Sequence, residues 1–310
     1  MLTASKNNDN TRRAVFDQRS MGAEYATIQG VILAAGRGSR LADAINNGPK
    51  CLAEIGGRPL VDHQLALLAE AGVQRVLIVT GYRAEEVRAA VGERAEFVHN
   101  DAWETTNSLY SLGLCRDWVT GALVVMNCDV LPHADALRRV LAQGNAFAYD
   151  SSSGTDEEHM KVEIEDDGSL LAMSKELPRY RSQGENVGLL YFDKRAARLL
   201  FREVEALLRS GHEHMWVTAV VQVVANYIRL HAVDIADLPW VEIDFPKDLD
   251  LARRVIWPGI CKQPSAIRCR EPERRRLIKS KESVRAGTTS QGLGRSRPET
   301  RAVSKEARND

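Results

Sequence analysis

The sequence predicts an α/β protein, with a mixed, mostly parallel sheet covered by helices on both faces in a single domain. Three observations point there. From Ile28 to about Ile260, apolar β-type runs alternate with amphipathic helical stretches. The run from Ala122 to Met126 is apolar at consecutive positions, as a strand covered on both faces should be. The 310 residues are 44% hydrophobic and 27% charged, ordinary globular values that exclude a disordered chain, a collagen and a disulfide-stapled mini-protein.

The elements follow in order. The first strand runs from Ile28 to Ala35 and ends at Gly36. A helix from Leu60 to Ala71 sets Val61, Leu65 and Leu68 on one stripe, and Gly72 stops it. A strand at 75–80 (RVLIVT), a helix from about Ala84 and a strand at 96–99 (EFVH) come next. After the buried run at 122–126, the polar segment 150–158 (DSSSGTDEE) reads as an exposed loop. MKVEIED and SLLAMSK then form a hairpin around Asp166–Gly168. A helix near Lys194–Leu208 places Ala197, Leu200, Phe201, Val204, Leu207 and Leu208 at helical spacing.

Residues 1–27 read as a flexible extension, 28–258 as the folded domain and 259–310 as a basic tail too poor in large apolar residues to order itself. The net charge of zero conceals this division. Residues 261–310 hold 14 Lys and Arg against 6 Asp and Glu, and the remainder 28 against 36. An acidic body gives no reason to expect nucleic acid as the main partner. A tail without interleaved aromatics reads as a solvated extension. No apolar run approaches the roughly 18–20 residues of a membrane span, and the N-terminus lacks the apolar core of a secretory signal. The five cysteines show no CxxC spacing, so free thiols in a cytoplasmic protein are the expectation.

The strongest chemical signal is VILAAGRGSRL (31–41) followed by GPK (48–50). A buried strand enters a glycine-rich turn whose small residues, Ala34, Ala35, Gly36 and Gly38, let the backbone approach a ligand. Exposed N–H groups in such a turn cradle phosphate oxygens, and Arg40 and Lys50 add two cations. The dinucleotide fingerprint fails because Leu41 holds the third glycine position, and no Walker A pattern exists. A Gly-x-Gly turn alone is plain strand-to-helix geometry; Arg40 and Pro49-Lys50 tip it toward phosphate binding.

Two aspartates form the second signal. Asp129 follows a buried strand and precedes Pro132; Asp244 follows WVEI and precedes Pro246. Proline favours the first helical position, which sets the N-caps at Leu131 and Phe245 and frees both aspartates from the capping role. Ligands of open α/β sheets bind at the carboxyl ends of strands. Strand alternation puts Glu242 and Asp244 on one face. Two carboxylates near a triphosphate suggest Mg²⁺, a hard cation with oxygen ligands.

The combination LAAGxGxRL…PK, a strand-terminal Asp and WxEIDxPxDL resembles the nucleotidyltransferases that activate sugar phosphates and related phosphates with NTPs. TTNSLYSL (105–112) and the stretch 161–188, with KVEI, SKELP and GENVG, look most like bacterial CTP:phosphocholine cytidylyltransferases. The 2-aminoethylphosphonate cytidylyltransferases show similar segments. The resemblance implies a Rossmann-like, GT-A-type fold and Mg²⁺-dependent transfer of CMP from CTP to a small phosphorylated or phosphonate head group, with release of pyrophosphate. It puts Leu33, Ala34, Ala35, Gly36 and Gly38 on the nucleotide, Arg40 and Lys50 on its phosphates as catalytic cations, and Tyr82, Asn107 and Ser108 near base and ribose. Asp129 and Asp244 would hold Mg²⁺. Lys161 and Lys175 would clamp the acceptor anion, bordered by Glu185 and Asn186. Cys128 departs from the glycine that many members carry before the metal aspartate.

Other readings stand beside this one. A choline head group would want a cage of ring faces, for which Tyr110, Tyr149, Tyr180, Tyr191 and Trp216 are candidates; Asp156, Glu157 and Glu158 could instead meet a primary amine, although a solvated loop is the simpler reading. The scattered histidines receive no role. The alternatives are a sugar-1-phosphate or inositol-phosphate nucleotidyltransferase, a non-catalytic relative of the fold, and a nucleic-acid binder acting through the tail. The oligomeric state is open, dimers being the commonest assembly.

Overall fold

The computed structural model describes residues 28–73, 75–154 and 157–262. The N-terminal extension, most of the basic tail, Cys269 and Asp156 therefore lie outside the described residues.

The sheet grows outward from β1 (Ile28–Ala34), all of whose residues are buried. β4 (Arg75–Thr80) and β6 (Ala122–Asn127) flank it, both parallel, and β5 (Glu96–His99) adds in parallel beyond β4. β11 (Gly184–Phe192) then runs antiparallel to β6 and also pairs with β8 (Ala146–Asp150) and β9 (Lys161–Ile164). β10 (Leu170–Ser174) closes the hairpin with β9, and β12 (His231–Asp234) pairs with β8. The mixed sheet of the sequence reading is thus observed, in the order β10-β9-β11-β6-β1-β4-β5, with β8 attached to β11 and β12 to β8.

Strand alternation sorts β1 onto two cores. Ile28, Ile32 and Ala34 face α1 (Leu60–Glu70), α2 (Ala84–Val91) and α4 (Ala134–Gln143) through Val61, Val87 and Leu137. Val31, Leu33 and Ala35 face α3 (Ser108–Gly113), α5 (Lys194–Arg209) and α6 (Val217–Ala225) through Leu112, Leu200 and Val221. A third, smaller core joins Leu41, Ile55 and Leu60 to Leu131, Val241, Ile243, Leu249 and Ile260. It packs the hairpin of β2 (Glu54–Ile55) and β3 (Arg58–Pro59) against the last described helices, α7 (Pro246–Leu251) and α8 (Trp257–Lys262).

Two helix starts were expected from proline, and one is observed. Phe245 is the N-cap of α7 with Pro246 at the first position, and Asp248 accepts the Phe245 N–H at 2.7 Å. Leu131 is not a cap. It lies in β7 (Val130–Leu131), which pairs antiparallel with β13 (Val241–Glu242). That ladder keeps the chain extended, and α4 begins only after His133, whose ring accepts the Asp135 N–H at 3.1 Å. At the other end, α8 continues to Lys262 and buries Ile260, past the domain end expected at 258. Among the described residues, no helix is long and apolar enough to cross a membrane.

Trp257 anchors this last part. Its indole stacks on His63 of α1 at a centroid separation of 4.2 Å and lies over Gly56 in the β2–β3 turn. Gly56 has φ +58, and a Cβ there would run into the indole. Gly168, at φ +80 in the β9–β10 turn, has open space instead. Both Gly→Ala changes strain the backbone, but Gly56→Ala must also displace Trp257. It is expected to cost about 1–3 kcal/mol more than Gly168→Ala in urea denaturation. Equal costs would show that the indole does not constrain this turn.

Candidate active site

The first glycine turn leaves the sheet at the carboxyl end of β1, where β4 and β6 flank it on opposite sides, the place where open α/β sheets bind ligands. A Cβ on Gly36 would meet nothing within 4 Å, so the backbone is open on that side. Gly38 is held at φ +64, and a Cβ there would stand 3.1 Å from Lys50 Cβ. The second glycine is thus needed so that the turn can wrap Lys50. Lys50 itself opens a single helical turn after Pro49 and is buried.

Lys50 Nζ donates to Asp129 Oδ2 at 2.9 Å and also to Asp244 Oδ1. The two aspartates are far apart in sequence but share one small scaffold. Glu242 pairs with Val130 across the β7–β13 ladder, and the Ile243 N–H donates to Asp129 O at 2.9 Å. Asp248 accepts the N–H of Asp244 at 3.1 Å. As a result Asp129, Glu242 and Asp244 bring one carboxylate oxygen each within 4.8 Å of one another. Burial alone would lower the Lys50 pKa, but the charges of Asp129 and Asp244 more than offset it and hold the ammonium protonated. Glu242 is driven well above the usual carboxylate range, first by burial and then by Asp129 and Asp244.

A cavity of about 370 Å³ opens beside this cluster. Of the residues expected on the nucleotide, Leu33, Ala35, Gly36, Gly38, Asn107 and Ser108 line it, together with the cations Arg40 and Lys50. Asn107 caps α3, its side chain accepting the Ser108 N–H at 2.7 Å. The Asn107 N–H donates to Glu213 O at 2.9 Å, and Ser108 Oγ accepts the Val217 N–H at 2.9 Å. These bonds stitch the start of α3 to the loop carrying Trp216, which also faces the cavity. From the acceptor set, Lys175 and Asn186 line the wall, and the two aspartates complete it.

Four expected residues do not line the cavity. Ala34 points into the first core beneath the turn. Tyr82 turns away: its phenol donates to Asn47 O at 2.9 Å, and its ring packs edge-on against Trp103. Strand spacing could not foresee that the TGY tyrosine would fasten the loop before Lys50. Lys161 and Glu185 stand opposite each other in the β9–β11 ladder, both buried behind the wall. Among the ring candidates Trp216 faces the cavity, whereas Tyr110, Tyr149, Tyr180 and Tyr191 do not line it. Tyr180 is 88% exposed.

Glu158 is more than a solvated loop residue. Its carboxylate lies 3.1 Å from Arg40 Nη1 and 3.8 Å from Lys175 Nζ, spanning the cavity mouth. Lys175 also stands 5.3 Å over the Trp216 ring. Glu242 is the residue the sequence reading left without a role; the alternation that set it on the face of Asp244 was the signal available. Ser111 of the TTNSLYSL stretch lines the cavity as well, as do Asn127, Met160 and Thr218, which no motif announced.

Among the described residues, the free cysteines are not activated thiols. Cys51, Cys115 and Cys128 are buried free thiols, as expected, and burial pushes Cys51 and Cys115 up to about 12 and Cys128 well above its ordinary value. Cys261 corrects the expectation, because it is disulfide-bonded. The lack of a CxxC spacing says nothing about pairing over longer separations.

The acid cluster suits a hard divalent cation. Its donors are all carboxylate oxygens, and Asp129 Oδ1 is buried with no hydrogen-bond partner.

Comparison with known proteins identifies the family and the fold. Residues 30–227 match the MobA-like NTP transferase domain family. The CMP-5'-(3-aminopropyl)phosphonate synthase of Streptomyces rubellomurinus is 30% identical over 238 residues, covering 71% of this chain but 37% of that protein. The CTP:phosphoglutamine cytidylyltransferase of Campylobacter jejuni is 24% identical over 250 residues, 71% of this chain and 97% of that one. Among solved structures, the CTP:phosphocholine cytidylyltransferase of Streptococcus pneumoniae superposes with a TM-score of 0.60 at 20% identity, covering 74% of this chain and 99% of that one. The inositol-1-phosphate CTP transferase of T. maritima also gives 0.60, at 21% identity over 74% of this chain and 98% of that one. At these identities the structural likeness carries the fold.

The raised pKa of Glu242 has a consequence for stability. Unfolded, Glu242 ionises near its ordinary value of about 4.3; folded, its charge is resisted by burial and by Asp129 and Asp244. The resulting penalty is absent below that pH and grows as pH rises toward the folded pKa. In EDTA, Glu242→Gln should therefore raise the melting temperature at pH 7, and the gain should fade toward pH 4. The same shift at both pH values would overturn this account.

Proposed function

Because the chain belongs to the MobA-like NTP transferase family, we propose that it is a Mg²⁺-dependent cytidylyltransferase that moves CMP from CTP onto a small phosphorylated or phosphonate head group. One observation carries the reading: Lys50, Arg40 and Lys175 line one cavity with Asp129 and Asp244 at the carboxyl end of β1. Such a constellation suits a reaction between two anions. The complete set also argues against a non-catalytic relative of the fold. The choice of CTP and of the acceptor class is supported by the relatives' names and by the sequence resemblance.

The chemistry follows from charge. An acceptor oxygen attacks the α-phosphorus in line, the new O–P bond forms, and the bond to pyrophosphate breaks with the electron pair leaving on pyrophosphate. The nucleophile is already anionic, so no proton needs to be moved. Catalysis then rests on positioning and on positive charge. The open backbone at Gly36 and the neighbouring Lys50 would receive the triphosphate, with Arg40 at its outer side. Lys175 would leave Glu158 to meet the acceptor anion. Asp129, Glu242 and Asp244 would hold Mg²⁺, which would neutralise charge developing on the phosphate oxygens.

The acceptor side favours an amine with N–H donors over a quaternary ammonium. A quaternary ion gains from several ring faces, and Trp216 is the aromatic residue found on the cavity wall among the described residues. Glu158 and Asn186 on the same wall can accept hydrogen bonds.

Pyrophosphate release with Mg²⁺ tests the reading, crossing four NTPs with 2-aminoethylphosphonate, phosphocholine, inositol 1-phosphate and glucose 1-phosphate. Turnover is expected with CTP and an amino head group, with Lys50→Ala and Asp129→Ala each costing on the order of 10²–10³ or more in rate. Turnover confined to a sugar or inositol phosphate would replace the acceptor assignment. Silence in every combination, with no NTP binding, would sink the enzymatic reading.

A further inference from the structure

Gln64 belongs to no motif and does not line the cavity, yet it grips the turn that carries Asp129. It sits in α1 and is fully buried. Its Nε2 donates to Asn127 O and to Val130 O, both at 2.8 Å. Those carbonyls bracket Cys128 and Asp129, so one amide closes the turn from both sides. Two carbonyl acceptors also settle which end of the amide faces the turn, because only the NH₂ can donate. Its Oε1 is left buried without a partner. An apolar side chain could fill the space without that uncompensated oxygen, so packing alone does not account for a glutamine here.

The same helix is tied to Lys50. The Ala53 N–H donates to Lys50 O at 3.0 Å and the Leu60 N–H to Ala53 O at 2.9 Å, which fixes the start of α1 relative to the lysine. Gln64 therefore joins the backbone that presents the cation to the backbone that presents the carboxylate. We propose that Gln64 is a positioning residue: by holding the Asn127–Val130 turn it aims the Asp129 carboxylate at Lys50 and at the divalent cation shared with Glu242 and Asp244. This rests on the metal reading of Asp129 given above. Groups that orient a metal ligand cost about 10–100-fold in metal affinity or activity when removed.

Gln29 supplies the control. It is another buried glutamine, at the opposite end of β1, where Nε2 donates to Trp118 O at 3.0 Å and Oε1 accepts the Thr120 and Gly121 N–H groups at 2.7 and 2.8 Å. Its loss should destabilise the fold without reaching the acid cluster.

The experiment is a Mn²⁺ titration of the full-length protein followed by electron paramagnetic resonance, with melting temperature and pyrophosphate-release kinetics measured alongside. Gln64→Met should weaken Mn²⁺ binding about 10–100-fold and lower kcat within the same range, with KM for CTP changed less than about threefold. In an Asp129→Asn background the same change should weaken Mn²⁺ binding no further, because the two residues act as one unit. Gln29→Met should lower the melting temperature and bind Mn²⁺ as wild type does. Should Gln64→Met not fold, Gln64→Asn, whose amide is one methylene too short to reach, replaces it. Wild-type Mn²⁺ affinity in the Gln64 variant, or equal losses in both glutamine variants, overturns the positioning role alone. A wild-type protein that binds no Mn²⁺ overturns the metal reading, and the positioning role with it.

Discussion

One ammonium group between two carboxylates is the interaction on which the rest of the site depends. Asp129 and Asp244 come from opposite halves of the chain and meet at Lys50 Nζ. Two unit charges at 4 Å interact by about 4 kcal/mol at the effective dielectric of a protein's outer shell. Without the lysine, that energy would drive the aspartates apart. With it, the acid cluster is tolerated before any ligand arrives. The neighbouring sequence serves this one contact: Gly38 has no side chain because Lys50 Cβ is there, and Pro49 starts the turn that carries the lysine inward.

The scaffold beneath explains how so short a ladder can hold such chemistry. β7 and β13 contribute two residues each, far too little for independent stability. They persist because Leu131, Val241 and Ile243 enter the third core, where Leu60, Leu249 and Ile260 close around them. Helix α1 then works on two fronts at adjacent positions. His63 bonds the Ile55 carbonyl at 2.8 Å and carries Trp257, whereas Gln64 holds the Asp129 turn. The last described helices are therefore part of the site's foundation, and α8 lies past the last recognisable motif.

What could be read from the sequence follows the range of the forces involved. β1, α5 and the β9–β10 hairpin were legible because apolar period and turn chemistry are local properties. The cavity's glycines and both aspartates were legible because they closely follow strands whose ends converge in this topology, and Arg40 and Lys50 because they belong to the motif that begins at the first of those ends. Leu131 was misjudged because a proline rule speaks of helices and is blind to a partner strand more than a hundred residues away. The bond of the Tyr82 phenol to Asn47 was illegible for the same reason, since it is a non-local contact in a loop without periodicity. Glu242 was half legible: alternation gave its face, but only the ladder with Val130 brings that face to Asp129.

The distribution of charge around the cavity bears on how the reaction must be assembled. Three cations, Arg40, Lys50 and Lys175, face three carboxylates, Asp129, Asp244 and Glu158, each within 4 Å of an opposite charge. Glu242 adds little further charge, since its pKa lies well above the usual carboxylate range. The cavity is thus close to neutral by itself, whereas the two substrates of the proposed reaction, a triphosphate and a phosph(on)ate acceptor, would both arrive as anions. A neutral site cannot cancel their repulsion merely by having been built. For the proposed reaction it would exchange partners, with Glu158 releasing Arg40 and Lys175 and with Lys50 sharing its carboxylates. Each release would expose a cation only when an anion is present to take it, so the empty protein keeps these charges paired. The remaining deficit calls for positive charge that comes in from outside, and the carboxylates that Lys50 holds together are where a divalent cation would find its ligands.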